Sequence, residues 1–506
     1  MVEGQVEVLG TGKAEVFLNG KPAIIDASGG FKSNIPLSVG RNSVTITVFV
    51  DKHKTNSRTI DIIRTDSGGT DPNSGGSNPS SGSGAVSQQP ATTNKIERMS
   101  IAYRQDRDGR QVTAAKVNLA PMQEEIEQFK KQASSLSNPI LKYSIASVQD
   151  VLEISIPVLG VVQAAEELPQ SSIAIESPQG VLKLPLHAMK TALTGISNQK
   201  SGELQIRIGT LLQEQDRALQ QRLLQDGSKK IGAALEIGLV VKEGEEEKAI
   251  AFKGERAEYR FKLPAIAADR NRMTVIDYDG KSGRYAFIPA LFESREGDLE
   301  VLLKLSETGI YGTVEVQPPM FTDIQGHWAE QDILLLASKL IVKGTSDTRF
   351  SPGETLTRAQ FTAMLVRALG MKEKAGVMPF VDVQSQDWYA GAIGEAVEQG
   401  LIQATDSSHF SPNALLTREH MSVLILRAAE IAEVKDTAVN TEAVLQSFRD
   451  QNEIAAWSKD AVAAVVSKGL MEGRNANSFV PNGTATRAEG VVALKRLLQQ
   501  SVYINR

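Results

Sequence analysis

The chain's three tryptophans, Trp328, Trp388 and Trp457, are the fixed points of one motif written three times. Counting from each, a Phe follows at 22 positions (Phe350, Phe410, Phe479) and a Pro at 24 (Pro352, Pro412, Pro481). A Thr-Arg pair then falls at 29 and 30: Thr357-Arg358, Thr417-Arg418 and Thr486-Arg487. Each Trp is also preceded by Phe-x-Asp, at Phe321/Asp323, Phe380/Asp382 and Phe448/Asp450. Self-similarity at about 60 residues means one supersecondary unit used three times, each burying its apolar face against its neighbours. The fold of this third of the chain must be read from the repeat.

Each unit reads as helix, loop, helix. The first helix begins near the Trp, with apolar positions Ile333, Leu336, Ala337 and Ile341 matched by Ile393, Ala396, Val397 and Leu401 and by Val462, Val465, Val466 and Leu470. That spacing buries one face. The Pro of Phe-x-Pro stops any helix reaching it, and the second helix starts at the Thr. Thr357-x-x-Gln360 and Thr486-x-x-Glu489 are capping boxes, in which side chains satisfy otherwise unpaired backbone N–H groups. Thr417-x-x-His420 breaks the box, so the middle cap is expected to be weaker.

The arginine sits at the first helical position, where the helix dipole disfavours a cation by roughly 0.3–1 kcal/mol, yet all three units place one there. Free N–H groups at a helix start plus a guanidinium make a site for a carboxylate or phosphate, which the planar fork of Arg binds bidentately. The alternative is that each Arg pairs with the Phe-x-Asp carboxylate of a neighbouring unit and staples the repeats. A Trp in each repeat likewise has two readings, core residue or exposed platform for a sugar ring.

These residues resemble the S-layer homology domain. Phe321 to Ala329, with Asp323, His327 and Trp328, then Gly344, Phe350-Ser351-Pro352 and Leu356 to Gln360, match that family's first unit. The resemblance runs from 321 to about 498, and Tyr278 to Pro289 and Gly309 to Tyr311 also resemble the segment that precedes such triplets in Bacillus-type surface proteins. It implies an all-α, pseudo-threefold bundle whose inter-repeat grooves bind the secondary cell-wall polysaccharide of Gram-positive bacteria, often through a pyruvate ketal. The expected carbohydrate-binding residues are Arg358, Arg418, Arg487, Trp328, Trp388, Trp457, Thr357, Thr417, Thr486, Gln360, Glu489, Asp323, Asp382 and Asp450. Three departures from the family pattern are Ala404 where Gly344 and Gly473 stand in the other units, Glu419-His420 in place of Ala-Glu, and Ala456 before Trp457. The first two fall in the middle unit, which is the expected weakened site.

The remaining chain divides by composition. Residues 1–65 alternate as short strands, with turns at Asn19-Gly20 and Gly29-Gly30, which suggests a small β-sandwich. The pattern resembles bacterial immunoglobulin-like modules. Residues 66–94, rich in Ser, Gly, Asn, Thr and Pro, hold scarcely an apolar residue to bury and read as a flexible linker. Residues 95–316 mix strands with two amphipathic helices, Met122 to Ala133 and Leu211 to Leu224. Leu182 to Pro185, Phe261 to Pro264 and Ala286 to Pro289 each run a strand into a proline, which must end it. An α+β or mostly β region is expected, with two subdomains dividing near 200. The repeats are bounded at 317–378, 379–445 and 446–506.

Composition excludes several functions. A formal net charge of -5 leaves no basic surface of the kind that grips nucleic acid. No apolar run approaches the ~18 residues of a membrane span, so no membrane insertion is expected. The absence of cysteine removes disulfides, zinc-thiolate centres and cysteine nucleophiles. Gly280-Lys281-Ser282 lacks the first glycine of a phosphate loop, and Asp106 to Gly109 lacks the later ligands of a calcium loop. No metal or cofactor is expected. The start Met1-Val2-Glu3-Gly4 carries no secretory signal, so a chain working outside the cell is expected to be a fragment. The resulting expectation is a non-enzymatic extracellular protein docked on a pyruvylated cell-wall polymer, and lateral self-association is compatible with it. The competing class is the tether of an exported glycoside hydrolase, and an adhesin using the immunoglobulin-like module is a third.

Overall fold

The computed structural model describes residues 98–506 except 133–137, 195, 197–200, 245, 253–255, 265–268, 296, 374–378, 404–407 and 436–437, together with the backbone of six strands between residues 2 and 64. The linker expected at 66–94 lies outside the described residues. Two compact units result, Met1–Lys95 and Ile96–Arg506.

In the first unit, Val2–Gln5 pairs with Gly30–Ser33, and Lys21–Ala23, Ala14–Leu18, Gly40–Val50 and His53–Arg64 form a four-stranded sheet in that order. Leu18 pairs with Lys21, and the turn expected at Asn19-Gly20 lies outside the described residues.

The second unit begins with two sheets. The larger runs in the order Arg284–Ile288, Met273–Asp279, Gly309–Val316, Ser228–Glu243, Glu203–Thr210, Val151–Pro157, Gln111–Val117 and Met99–Gln105, with Glu246–Ala249 added on Ser228–Glu243. The smaller orders Ala290–Arg295, Asp298–Leu305, Ala257–Leu263, Gly180–Pro185, Ser172–Ser177 and Ile140–Ser144. Ile154, Ile206 and Ile237 of one sheet share a single buried cluster with Ile173, Leu182, Tyr259 and Leu303 of the other. The interior is therefore filled with apolar side chains. Strands end at Pro185 and just before Pro264 and Pro289, because a proline has no N–H for the ladder. Helices Leu119–Gln132 and Gln213–Gln225 form where amphipathic spacing placed them. Val158–Glu167 and Leu186–Ala192 are helices that the sequence reading lacked. The expected division near residue 200 has no counterpart here: Val151–Pro157 pairs with Glu203–Thr210, and Gly180–Pro185 with Ala257–Leu263, so both sheets cross it.

The repeats supply helices Glu330–Ser338 and Arg358–Ala368, then Ala390–Glu398 and Arg418–Ile431, then Lys459–Ser467 and Arg487–Gln500. A short helix, Thr441–Leu445, leads into the third repeat. Ahead of each second helix, the chains meet in a closed ring of backbone bonds. Leu356 N–H donates to Ala485 at 2.9 Å, Ala485 to Leu416 at 2.8 Å, and Leu416 to Leu356 at 2.9 Å. All three side chains are fully buried, so the ring lies in a dry core.

The bundle is fastened to the sheets at two places. In the first repeat, Lys339 Nζ donates to the carbonyl of Met273, and Lys372 bridges Asp277 at 2.6 Å and Glu307 at 3.1 Å. Beyond the last helix, Ala290 N–H donates to the Tyr503 carbonyl at 3.0 Å, and the Asn505 amide exchanges two bonds with the Phe292 backbone at 3.0 and 3.1 Å. Residues 503–505 thus cover the edge strand Ala290–Arg295, whose outer backbone groups would otherwise be unpaired.

Candidate functional site

Each Phe-x-Pro turn is held by its own repeat's aspartate. Asp323 accepts the N–H groups of Phe350 at 2.8 Å and Ser351 at 2.7 Å. Asp382 does the same for Phe410 and Ser411 at 2.8 and 2.7 Å, and Asp450 for Phe479 and Val480 at 3.0 and 2.7 Å. Burial alone would push the Asp323 and Asp382 carboxyls up, but these N–H bonds outweigh it and hold both below the ordinary 3.8. The clamp forces the residue after Phe into the left-handed region: φ is 58° at Ser351, 57° at Ser411 and 60° at Val480. A β-branched residue is strained there.

The arginines bind across the repeat boundary, always in the same direction. Arg358 Nε donates to the Phe410 carbonyl at 2.9 Å, Arg418 Nε to Phe479 at 2.8 Å, and Arg487 Nε to Phe350 at 2.9 Å. Each guanidinium also lies over the ring of that Phe, at 4.8, 4.8 and 4.5 Å. The first repeat grips the second, the second the third, and the third the first. The staple expected between Arg and the neighbouring aspartate exists in altered form: Asp holds the N–H of a Phe residue whose carbonyl and ring Arg holds.

Two sequence expectations are corrected at this point. The helix N-termini do not offer free N–H groups, since Arg358 N–H donates to Ala414, Arg418 to Gly483 and Arg487 to Glu354, at 2.9–3.0 Å. Ala359, Glu419 and Ala488 donate to Pro412, Pro481 and Pro352, at 3.0–3.1 Å. The next N–H in each helix goes to Thr357, Thr417 or Thr486 Oγ1. Any anion must therefore be met by side chains. Asp323, Asp382 and Asp450, expected to touch carbohydrate, are instead engaged inside the protein. The three threonines are caps. Gln360 and Glu489 complete capping boxes, and the middle repeat lacks one, its His420 ring lying against Thr417 Oγ1 at 2.6 Å.

What differs between repeats is the group each arginine faces. Arg418 is only 3% exposed and pairs with Glu489 at 2.9 Å, while its other nitrogen donates to the Glu472 carbonyl. Glu489 is held in turn by Arg474 at 3.0 Å; burial raises its pKa, but Arg474, the Thr486 N–H and Arg418 outweigh that and lower it. Arg358 and Arg487 are half-buried, and among the described residues neither has a carboxylate within ion-pair distance. Their counterparts of Glu489 are His420 and Gln360. Burial pulls both guanidinium groups below their ordinary value, opposed only by more distant charges, Asp382 for Arg358 and Glu354 and Asp323 for Arg487. Both stay protonated, so each is a partly desolvated cation without a neutralising partner.

The tryptophans belong to the surface, with exposures of 66% at Trp328, 58% at Trp388 and 56% at Trp457. Exposed indoles give flat apolar faces beside polar groups. Trp457 is packed at 4.6 Å by His420, whose ring is also 2.6 Å from Thr417 Oγ1. Burial and the nearby Arg358 hold His420 below its ordinary 6.5, so it is neutral at pH 7. Glu419, noted in sequence only as a departure, is buried and accepts from Ala455 N–H at 3.2 Å and Ser458 Oγ at 3.0 Å. It anchors the start of the third repeat, a role signalled only by the hydroxyl that follows Trp457. A Cβ at Gly344 would meet the Ser346 carbonyl at 2.3 Å and one at Gly473 the Asn475 carbonyl at 2.5 Å. The corresponding Ala404 lies outside the described residues.

Comparison with known proteins accords with this geometry. Residues 321–362, 379–422 and 447–489 match the model of the S-layer homology domain, so the carboxyl-terminal part of the chain carries three of them. An exoglucanase of Acetivibrio thermocellus is 40% identical over 182 residues, 36% of this chain and 16% of that protein. An amylopullulanase of Thermoanaerobacterium thermosulfurigenes is 33% identical over 236 residues, 46% of this chain and 12% of that protein. An S-layer protein of Bacillus thuringiensis subsp. finitimus is 31% identical over 183 residues, 36% of this chain and 21% of that protein. The matched part of this chain thus spans less than a quarter of each relative. Enzymes and surface-layer proteins alike carry the repeats, which places the shared property in cell-surface anchoring.

Proposed function

From three S-layer homology domains on one chain, we propose a non-catalytic cell-surface protein held to the cell wall by an acidic polysaccharide, through the grooves beside Arg358 and Arg487. The observation that carries this reading is a pair of half-buried guanidinium groups with no carboxylate partner among the described residues, set in repeats that each expose an indole. A ketal carboxylate, as on a pyruvylated sugar, fits the free edge of a guanidinium, and the sugar ring fits the indole face. We read the bundle as pseudo-threefold, with Trp328, Trp388 and Trp457 as platforms and Arg418 as a structural cation. Two modest sites on one polymer raise retention by avidity, on the order of 100-fold where the geometry lets both engage.

The sheet region supports a spacer in place of a hydrolase. Its interior is packed with apolar side chains, and two of its carboxylate pairs are bridged by cations. Lys372 sits between Asp277 and Glu307, and Arg260 between Glu293 and Glu300 at 2.7 and 3.4 Å. A glycoside hydrolase needs its two carboxyl groups facing a substrate, roughly 5–10 Å apart.

The test is retention on purified walls before and after chemical removal of ketal pyruvate. Arg358→Ala and Arg487→Ala each should weaken retention about tenfold, or 1.4 kcal/mol, and Arg418→Ala much less once normalised for folded protein. Undiminished retention by the triple variant would reject the anion-site reading.

A further inference from the structure

We propose that the Arg487 site continues into the trough between the first repeat and the sheets, which takes the body of the same polysaccharide; this rests on reading Arg487 as an acidic-sugar site. Lys343 joins the two places. Its carbonyl accepts from Arg487 Nη2 at 2.8 Å, and Lys343 with the Gly344–Asp347 turn forms one wall of the trough. The hairpin around Gly280 and the helix Gln213–Gln225 supply facing walls.

Size decides what the trough accommodates. Its volume is about 2110 Å³, more than twice the ~300–1,000 Å³ of a typical small-molecule pocket. That is room for several sugar rings. Its exposed charges are of both signs: Lys281, Arg284 and Lys343 stand among Glu214, Asp226, Asp279, Asp347 and Glu373, with Asp226 paired to Arg222 and Glu373 to Arg367. A wall of mixed sign suits the neutral, hydroxyl-rich part of a glycan, because carboxylates accept from hydroxyls and ammonium groups donate to them. Tyr285 adds a half-buried ring, fixed by its hydroxyl donating to Asp226 and by Arg222 at 5.8 Å from the ring centre. Among the described residues, Arg358 bonds to Phe410 and Arg418 to Phe479, Glu472 and Glu489, none of which lines the trough, whereas the Lys343 bonded by Arg487 does. The extension therefore belongs to the Arg487 groove.

The experiment compares purified wall-polymer fragments of one repeating unit and of several units, titrated calorimetrically into the full chain carrying Arg358→Ala, so that Arg487 is the site read. The longer fragments should bind about tenfold tighter. Ala286→Trp on the exposed strand face, or Ala218→Trp on the exposed helix face, should plug the trough and cut that gain below about threefold, leaving one-unit affinity in place. If one-unit fragments bind but length brings nothing, or both plugs leave the gain intact, the extension is wrong and the anion site stands. If one-unit fragments do not bind at all, the anion site itself is wrong, and the extension falls with it.

Discussion

Arg418 and Arg487 hold the same place in their repeats, donate Nε to equivalent carbonyls and lie on equivalent rings. They differ in one opposing residue. Glu489 pairs with Arg418, and Gln360 is the residue at the corresponding position of the first repeat, the repeat that Arg487 grips. The same arrangement therefore yields an ion-paired staple at one boundary and a cation with no carboxylate partner among the described residues at another. A repeat motif fixes where the cation sits, while a single side chain three positions into the next helix decides whether charge is left over for a ligand.

The largest effect that would sharpen this contrast comes from Glu489→Ala, which strands Arg418 as a buried unpaired charge and should cost about 3–5 kcal/mol in denaturant unfolding. A cost under about 1 kcal/mol would mean the pair is not structural, and the contrast would break. Next, Gln360→Glu gives Arg487 the partner that Arg418 has. Wall retention should fall about tenfold with folding stability maintained, and unchanged retention would argue that the free charge is irrelevant. Val480→Ser, copying Ser351 and Ser411, should stabilise the third boundary by about 1 kcal/mol, because a β-branched residue is relieved of a left-handed conformation; thermal unfolding reads this directly. The smallest effect concerns pH. His420 titrates below 6.5 in the folded protein, so its contribution is complete above pH 6.5 and is lost as pH falls through the lowered value. His420→Gln should remove that part of the acid sensitivity. The part due to Asp323 and Asp382, both held under 3.8, should remain at lower pH.

The repeats were legible because their signals are local. A proline ends a helix wherever it stands, and Thr357 and Thr486 cap through residues three places away. Strand ends at Pro185, Pro264 and Pro289 follow from the same missing N–H. What sequence could not show was the partner of a backbone group. Asp323 reads as carbohydrate ligand or ion-pair partner of an arginine until Phe350 N–H is seen to reach it. The helix starts looked open because the carbonyls that fill them, Pro412, Pro481 and Pro352, come from another repeat. Exposure was equally hidden: the even choice between buried and surface tryptophan turned on where each neighbour packs. In the sheet region, Val158–Glu167 escaped notice since it is apolar on most sides, with buried Val158, Val161, Ala164 and Ala165.

The grip of Asn505 on Phe292 gives the molecule a defined path for mechanical load. Tension drawn through the sheets enters the bundle covalently beyond Val316, and it is shared by the bonds at Tyr503 and Asn505 at the other extreme of the triplet. Those bonds lie alongside an edge strand, so a pull along that strand stresses them together and not one after another. A tether fastened at both ends of its grip resists being peeled open repeat by repeat.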